Sequence, residues 1–566
     1  MADNPAMTAP RIASGAPPAL VPAVAVRGTH GAVTSAHALA SQAGIGILRS
    51  GGSAVDAAIA TNAALAVVTS YMCGLGGDAF WLIWTPGGGL EALNGSGRSA
   101  ATATPAAARA AGLERMPLRG PWTVTVPGAV RSWGDAHERH GRLAWRALLE
   151  PAIDLAAGFP ASPAWSATIE RAAATFGTDS DWARVFRPHG RPWRAGEAVR
   201  LPALAGTLRR LADEGPGDVY EGDLARRAAT YLEAHGSPLR AADLAAHRSD
   251  WASPIRTTYR GIETASHPPN SSGAVALELL QVLDALDAPD AAAFGPHGIS
   301  DPRWVHLQLE AARLAIADRD ALLSDPETMP PDALARLLDR RHAAQLAARI
   351  DPAGVLPPRP IDAPVAGGTI YLAAADASGM AVSLIESNYA GFGSGLVDPE
   401  TGIAYQNRGA FFSLDPAHAN VLAPRKRTMH TLTPGMLLRD GRPWVVHGSM
   451  GGEIQPQVFA QFVSAVVDGG RSVADAVAAP RFAADPETHY APPAVSRLEG
   501  GMLPGVGRAL AEMGHRVAWT EPLSGAFGHE HAIEFVHDDE GADPADPPVS
   551  FVATADPRSE GAPAAW

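Results

Sequence analysis

Thr369 is the residue whose surroundings offer the most chemistry. It follows two glycines, Gly367 and Gly368, and opens a run of strand-forming residues, Thr369–Asp376. A threonine hydroxyl is a weak nucleophile because nothing in its own side chain takes the proton. Cutting the peptide bond before Thr369 would set a free α-amine, reference pKa about 8, beside that hydroxyl and supply the missing base from the same residue. The same string also reads as a plain loop-to-strand junction. A second feature is Gly451-Gly452, between a strand ending at His447 and a helix expected over 453–467. A glycine pair at a helix start presents backbone N–H groups at the positive end of the dipole, an arrangement suited to an oxyanion. Arg98, among small residues in the loop 93–99, suits a substrate carboxylate held bidentately, or is simply solvated. Cys73 can be offered as a nucleophile, although a lone cysteine among apolar residues is ordinarily a small core residue.

These residues need elements to hold them. Residues 351–364 are rich in Pro and Gly with no apolar period, which predicts an exposed, extensible arm leading to Thr369. Beyond Thr369–Asp376 a turn at 377–379 returns the chain as a second strand ending at Ser387, a hairpin with glycine where positive φ is needed. Nearer the N-terminus, 36–48 reads as a helix, and 55–68 is apolar on nearly every face, as in a buried helix. The turn 73–78 is Gly-rich and followed by a strand; this order is the reverse of a dinucleotide fingerprint. Helical patterns fill 201–244 and 302–350. The segment 267–273, before a helix over 274–286, is either an anion-facing helix start or a set of caps.

Composition narrows the classes. The chain has 566 residues, 46% hydrophobic and 18% charged, enough for a large core as one sandwich or two interleaved lobes. A formal charge of −14 argues against nucleic-acid or anionic-membrane partners. The one lysine, Lys426, lies in the basic run 425–427, so P-loop chemistry is excluded and Schiff-base chemistry has a single candidate. That run is also readable as a solvated face. One cysteine allows no internal disulfide and no cysteine-based metal site. No HExxH pattern is present, and His529-Glu530-His531 is too closely spaced for two ligands on one helical face, so neither metal nor cofactor is expected. No apolar run approaches ~18 residues and the first residues lack a signal-peptide pattern, which predicts a soluble, cytoplasmic protein with a disordered arm over 1–25.

Taken together, the motifs resemble the gamma-glutamyltranspeptidase family of N-terminal-nucleophile (Ntn) hydrolases. The resemblance rests on the pattern 44–56, the turn 74–77, Val126-Pro127-Gly128, Tyr405-Gln406-Asn407, Gly451-Gly452, Ala479-Pro480-Arg481-Phe482 and Asp556-Pro557-Arg558, which stand in the family's order over nearly the whole chain. It implies an α+β fold, a four-layer αββα sandwich, made as one precursor that cuts itself between Gly368 and Thr369. The large subunit would be 26–368, helix-rich after the arm, and the small one 369–566, strand-rich. By the match, Thr369 is nucleophile and α-amine base, Gly451 and Gly452 form the oxyanion hole, and Ser387 falls where the family has an assisting threonine. The substrate-binding positions map to Arg98, Tyr389, Arg408, Phe411, His430 and Thr431. They depart from the glutathione-cleaving pattern, in which Asn, Gln and Asp side chains hold an α-ammonium. Phenylalanine in place of an acid, with an arginine nearby, would leave an ammonium unpaired at a cost of several kcal/mol. The pattern is closer to the cephalosporin-acylase and oxamate-amidohydrolase branch, with a carboxylated acyl group and with water or an amine as acceptor.

Two other functions fit the same residues. One is standard γ-glutamyl transfer or glutathione hydrolysis. The other, suggested by Ile370 in place of the family's second threonine, is an uncut, inactive chain acting as a binding scaffold.

Overall fold

Alternate side chains of the strand Thr369–Asp376 enter two different cores, and this defines the layers. Tyr371, Ala373 and Ala375 pack with Phe80, Leu82, Met436, Val446, Ile533 and Phe551 in a core between two sheets. Ile370, Leu372 and Ala374 face the other way, onto helices. The period of two that sorts side chains to opposite faces of a strand produces this division. The second sheet does the same: Leu437, Val445, Ala532 and Val552 face a separate helical layer. The result is the αββα sandwich.

The computed structural model describes residues 24–357, 367–485, 494–538 and 546–566. The expected arm lies outside the described residues as far as 23, and so do 358–366 of the segment feeding Thr369. The first sheet runs, edge to edge, Ala564–Ala565, Gly31–Ser35, Thr369–Asp376, Ala381–Ser387, Asp78–Thr85, Gly89–Gly95 and Asp250–Ala252. The second runs Ala25–Gly28, Ser550–Thr554, Glu530–Val536, Arg442–Ser449, Gly435–Arg439, Ile262–Ser266 and Ile255–Tyr259. Neighbours in both are antiparallel. Each sheet therefore draws strands from both sides of residue 368.

The helix Ala54–Val68 is buried at every position and closed by a reciprocal cap between Ser53 and Asp56. It packs on the first sheet in the apolar cluster that receives Ile370 and Leu372. The hairpin turn carries Gly379 at φ +89°, the left-handed conformation that glycine adopts without strain. Of the 201–244 and 302–350 patterns, the longest helices are Pro202–Glu214, Asp223–Ala234 and Pro302–Leu322. Among the described residues no helix is long and apolar enough to cross a membrane.

Candidate active site

Strand register builds the centre of the site. Thr369 lies directly opposite Ser387, and Ser387 directly opposite Asp78 on the next strand. Residues opposite one another share a face, so the three polar side chains form a row at one end of the first sheet, pointing between the sheets. All three are buried.

The row is wired in one direction. The Thr369 hydroxyl donates to Ser387 Oγ at 2.9 Å, and the Ser387 hydroxyl donates to the Gly368 carbonyl at 2.8 Å. Ser387 Oγ also accepts from the Tyr389 amide at 2.7 Å and from an Arg408 Nη at 3.1 Å. Three donors thus converge on an oxygen with two lone pairs, which favours the oxygen as it gains negative charge and sharpens its own proton as a donor.

Arg408 is the cation of the site. Its other Nη donates to Thr431 Oγ1 at 3.1 Å, and its guanidinium lies over the rings of Tyr389 at 4.6 Å and Phe411 at 5.5 Å. Those two rings lie 4.5 Å apart. The Arg408 Nε–H is buried with no acceptor among the described residues. Burial lowers the guanidinium pKa to about 10, so it remains charged at neutral pH. His430 reaches Asp78 at 3.2 Å, and Asp78 accepts further from the Gly97 and Gly128 amides at 3.1 and 3.2 Å. Burial, with Arg408 nearby, holds His430 well below the ordinary histidine range, so it is neutral.

Gly451 and Gly452 lie beside the chain that precedes Thr369. A Cβ placed on Gly367 would come within 3.6 Å of the Gly451 carbonyl carbon and 3.7 Å of the Gly452 nitrogen. Both glycines have positive φ, +143° and +58°, which turns the chain sharply after Ser449. A short 3-10 turn, Gly452–Ile454, separates the pair from the helix Gln455–Val467. The helix therefore begins slightly later than expected, and the pair sits on a tight turn before it. The turn is pinned by Glu453, wholly buried and paired with buried Arg319 of the helix Pro302–Leu322. Arg319→Met leaves Glu453 buried without its partner; removing one partner of such a pair costs about 3–5 kcal/mol. Thermal melts of the variant should show a clear drop in apparent melting temperature.

Arg98 stands apart from this group. It pairs with Asp325 at 3.0 Å and Glu327 at 2.7 Å, and also reaches the Arg425 carbonyl. The structure gives it no contact with Thr369, Ser387 or Arg408, so its carboxylate partners come from the protein itself. Lys426 donates to the Ala419 and Val421 carbonyls, both at 3.0 Å, and Arg427 pairs with Asp250. Both residues are buried, so two of the three basic residues hold loops in place and do not form a solvated face. Cys73 is buried, and burial pushes its thiol well above the usual range, which suits a core residue and not a nucleophile. The segment 267–273 is closed by its own bonds: Ser271 donates to the Leu432 carbonyl, and the Ser272 amide to that of His430.

Two acids in the neighbourhood carry no assignment from sequence. Burial raises Asp78 to about 7 and Glu386 to about 8, well above free carboxylic acids. Glu386, on the opposite face of its strand from Ser387, accepts from the Gly74 amide at 2.8 Å and from Asn62. An acid inside the apolar run 381–387 was the available signal, and alternation aims it at the helices. Because the folded pKa values lie above the unfolded ones, the folded state binds more protons over the intervening range. The contribution of these two acids to stability is fullest below pH ~4 and is lost as pH rises through about 7 and then 8. Melting temperatures measured from pH 5 to 9 should therefore fall toward the alkaline end, and Asp78→Asn should flatten the lower part of that fall.

Comparison with known proteins agrees with this architecture. A family model described as gamma-glutamyltranspeptidase matches residues 40–566. The chain is 38% identical over 540 residues to the glutathione hydrolase-like YwrD proenzyme of Bacillus subtilis, spanning 95% of this chain and 98% of the relative. It is 37% identical over 546 residues to the oxamate amidohydrolase proenzyme of Klebsiella pneumoniae, spanning 95% and 99%. A cephalosporin acylase from Bacillus halodurans superposes with a TM-score of 0.87 at 36% identity, covering 98% of this chain and 99% of that one. The matched length and the two-sheet sandwich agree, and the chain belongs to the gamma-glutamyltranspeptidase family of Ntn hydrolases.

Proposed function

We propose that the chain is a precursor that cuts itself before Thr369 and then hydrolyses or transfers the acyl group of a small amide. In the first reaction the Thr369 oxygen adds to the Gly368 carbonyl carbon. Its proton passes to Ser387 Oγ while the Ser387 proton moves to the carbonyl oxygen, so the tetrahedral intermediate forms without net charge separation. Collapse breaks the C–N bond, with the proton returned to the Thr369 nitrogen, and leaves an ester that water opens. The observation that carries this reading is the relay itself, Thr369 to Ser387 to the Gly368 carbonyl, at 2.9 and 2.8 Å. The pieces, 1–368 and 369–566, would stay associated because both sheets interleave strands from each.

The new α-amine of Thr369 is then the base for attack on a substrate amide, with the Gly451 and Gly452 N–H groups as oxyanion donors. The acyl enzyme is released to water or to an amine. Arg408, with its unpartnered Nε–H, is the group for a carboxylate on the acyl part, supported by Thr431 and by the Tyr389 and Phe411 rings. An α-ammonium would meet that guanidinium. We therefore favour a carboxylated acyl group lacking an α-amine. That choice is compatible with the names of the relatives, an oxamate amidohydrolase and a cephalosporin acylase. Comparing kcat/KM for glutaryl, oxalyl (as in oxamate) and γ-glutamyl amides tests it.

A further inference from the structure

The helical layer over the second sheet holds a group of side chains that the reaction does not use. Glu278 lies on the helix Gly273–Asp284, Asp318 on Pro302–Leu322 and His342 on Arg340–Ala347. One ligand-type atom from each lies within 4.8 Å of the others. Glu278 is wholly buried, and among the described residues no group outside this cluster bonds to its carboxylate, which lies within hydrogen-bonding reach of the Asp318 carboxylate. The His342 Nε2 stands 3.5 Å from Glu278 Oε1 and bonds to Asp318. Arg336, half exposed, approaches Asp318 at 3.6 Å. Two carboxylates packed this closely, one of them wholly buried, form a costly arrangement unless a cation or a shared proton completes it.

We propose that Glu278, Asp318 and His342 bind one divalent transition cation of the zinc or manganese class, with water in the remaining positions. One imidazole with two carboxylates is a donor set that such ions accept. Ligand atoms at ~2.0–2.1 Å from a tetrahedral centre lie ~3.3 Å apart, so separations that are all within 4.8 Å need to close by at most ~1.5 Å. A second group, His306, Glu310 and His515, is equally close but already complete. His306 and His515 bond each other at 2.7 Å, and their other ring nitrogens face the Asp351 carbonyl at 2.7 Å and Ser496 Oγ at 2.8 Å. Glu310 accepts from the Leu356 amide and from Arg313.

The position gives the cation a structural role. Asp318 directly precedes Arg319, which holds Glu453 beside Gly452. The helix of Glu278 follows Ser272, which bonds the His430 carbonyl. A cation would join the three helices behind both loops.

The full-length protein, stripped with EDTA and dialysed, is titrated with zinc chloride, and bound zinc is counted after gel filtration. One zinc per chain and a melting temperature that rises with free zinc are expected, since a ligand that binds only the folded state stabilises it by mass action. Glu278→Gln and His342→Gln should each remove both effects, while His515→Gln keeps them. His342 is partly exposed, so its variant serves if Glu278→Gln folds poorly. No retained zinc and no thermal response would overturn the proposal, as a shared proton would then account for the pair. Binding unchanged in both variants, or lost only in His515→Gln, would overturn it as well.

Discussion

The Thr369→Ala variant is expected to remain one chain of about 59 kDa with no amidase activity. The wild-type protein should separate on a denaturing gel into two: 58.6 kDa divided over 368 and 198 residues gives roughly 38 and 20 kDa. Both losses have the same cause. In the proposed reactions the hydroxyl that attacks the Gly368 carbonyl is the one that later attacks the substrate, and alanine removes it. Knocking out a nucleophile that works as a unit with its base costs on the order of 10⁴-fold or more in kcat. Ser387→Ala should slow self-cleavage less completely, because Thr369 survives while the bridge to the Gly368 carbonyl is lost. A time course of band conversion in freshly made protein reads the difference. Rapid cutting of Thr369→Ala would instead indicate an outside protease or another nucleophile.

The second large effect concerns the acyl group. Wild-type kcat/KM should favour glutaryl or oxalyl amides over γ-glutamyl amides, because the buried guanidinium of Arg408 attracts a carboxylate and repels an ammonium. Arg408→Met keeps length and apolar packing against Tyr389 and Phe411 but removes the charge. A hydrogen bond to a charged group contributes about 1.5–3 kcal/mol, so kcat/KM for the carboxylated amides should fall ~10–150-fold. A neutral butyryl amide should lose much less. Steady-state kinetics on the four substrates, with processing checked by gel, separates a binding defect from a failure to mature. A wild-type preference for γ-glutamyl amides would contradict the role given to Arg408.

Much of the framework was legible from local pattern. The apolar run at 54–68 is a buried helix, and the strand beginning at Thr369 turns through Gly379 as its spacing predicts. What makes the site work is non-local and left no such trace. Ser387 faces Asp78 only because the strands 381–387 and 78–85 are neighbours, a pairing across about 300 residues of chain. His430 meets the same Asp78 across 352 residues. Arg98 is bound by Asp325 and Glu327, partners brought from another part of the chain, so its loop gave no sign of them. The run 425–427 was equally deceptive. Charge left a solvated face open as one reading, whereas tertiary acceptors allow Lys426 and Arg427 to be buried.

The most direct test is the mass and N-terminal sequence of every polypeptide in a catalytically active preparation. The account predicts a small chain that begins Thr369-Ile370-Tyr371 with an unmodified α-amine, together with a large chain that ends at Gly368. An active preparation containing only full-length chain, its Thr369 nitrogen still joined to Gly368, would contradict it.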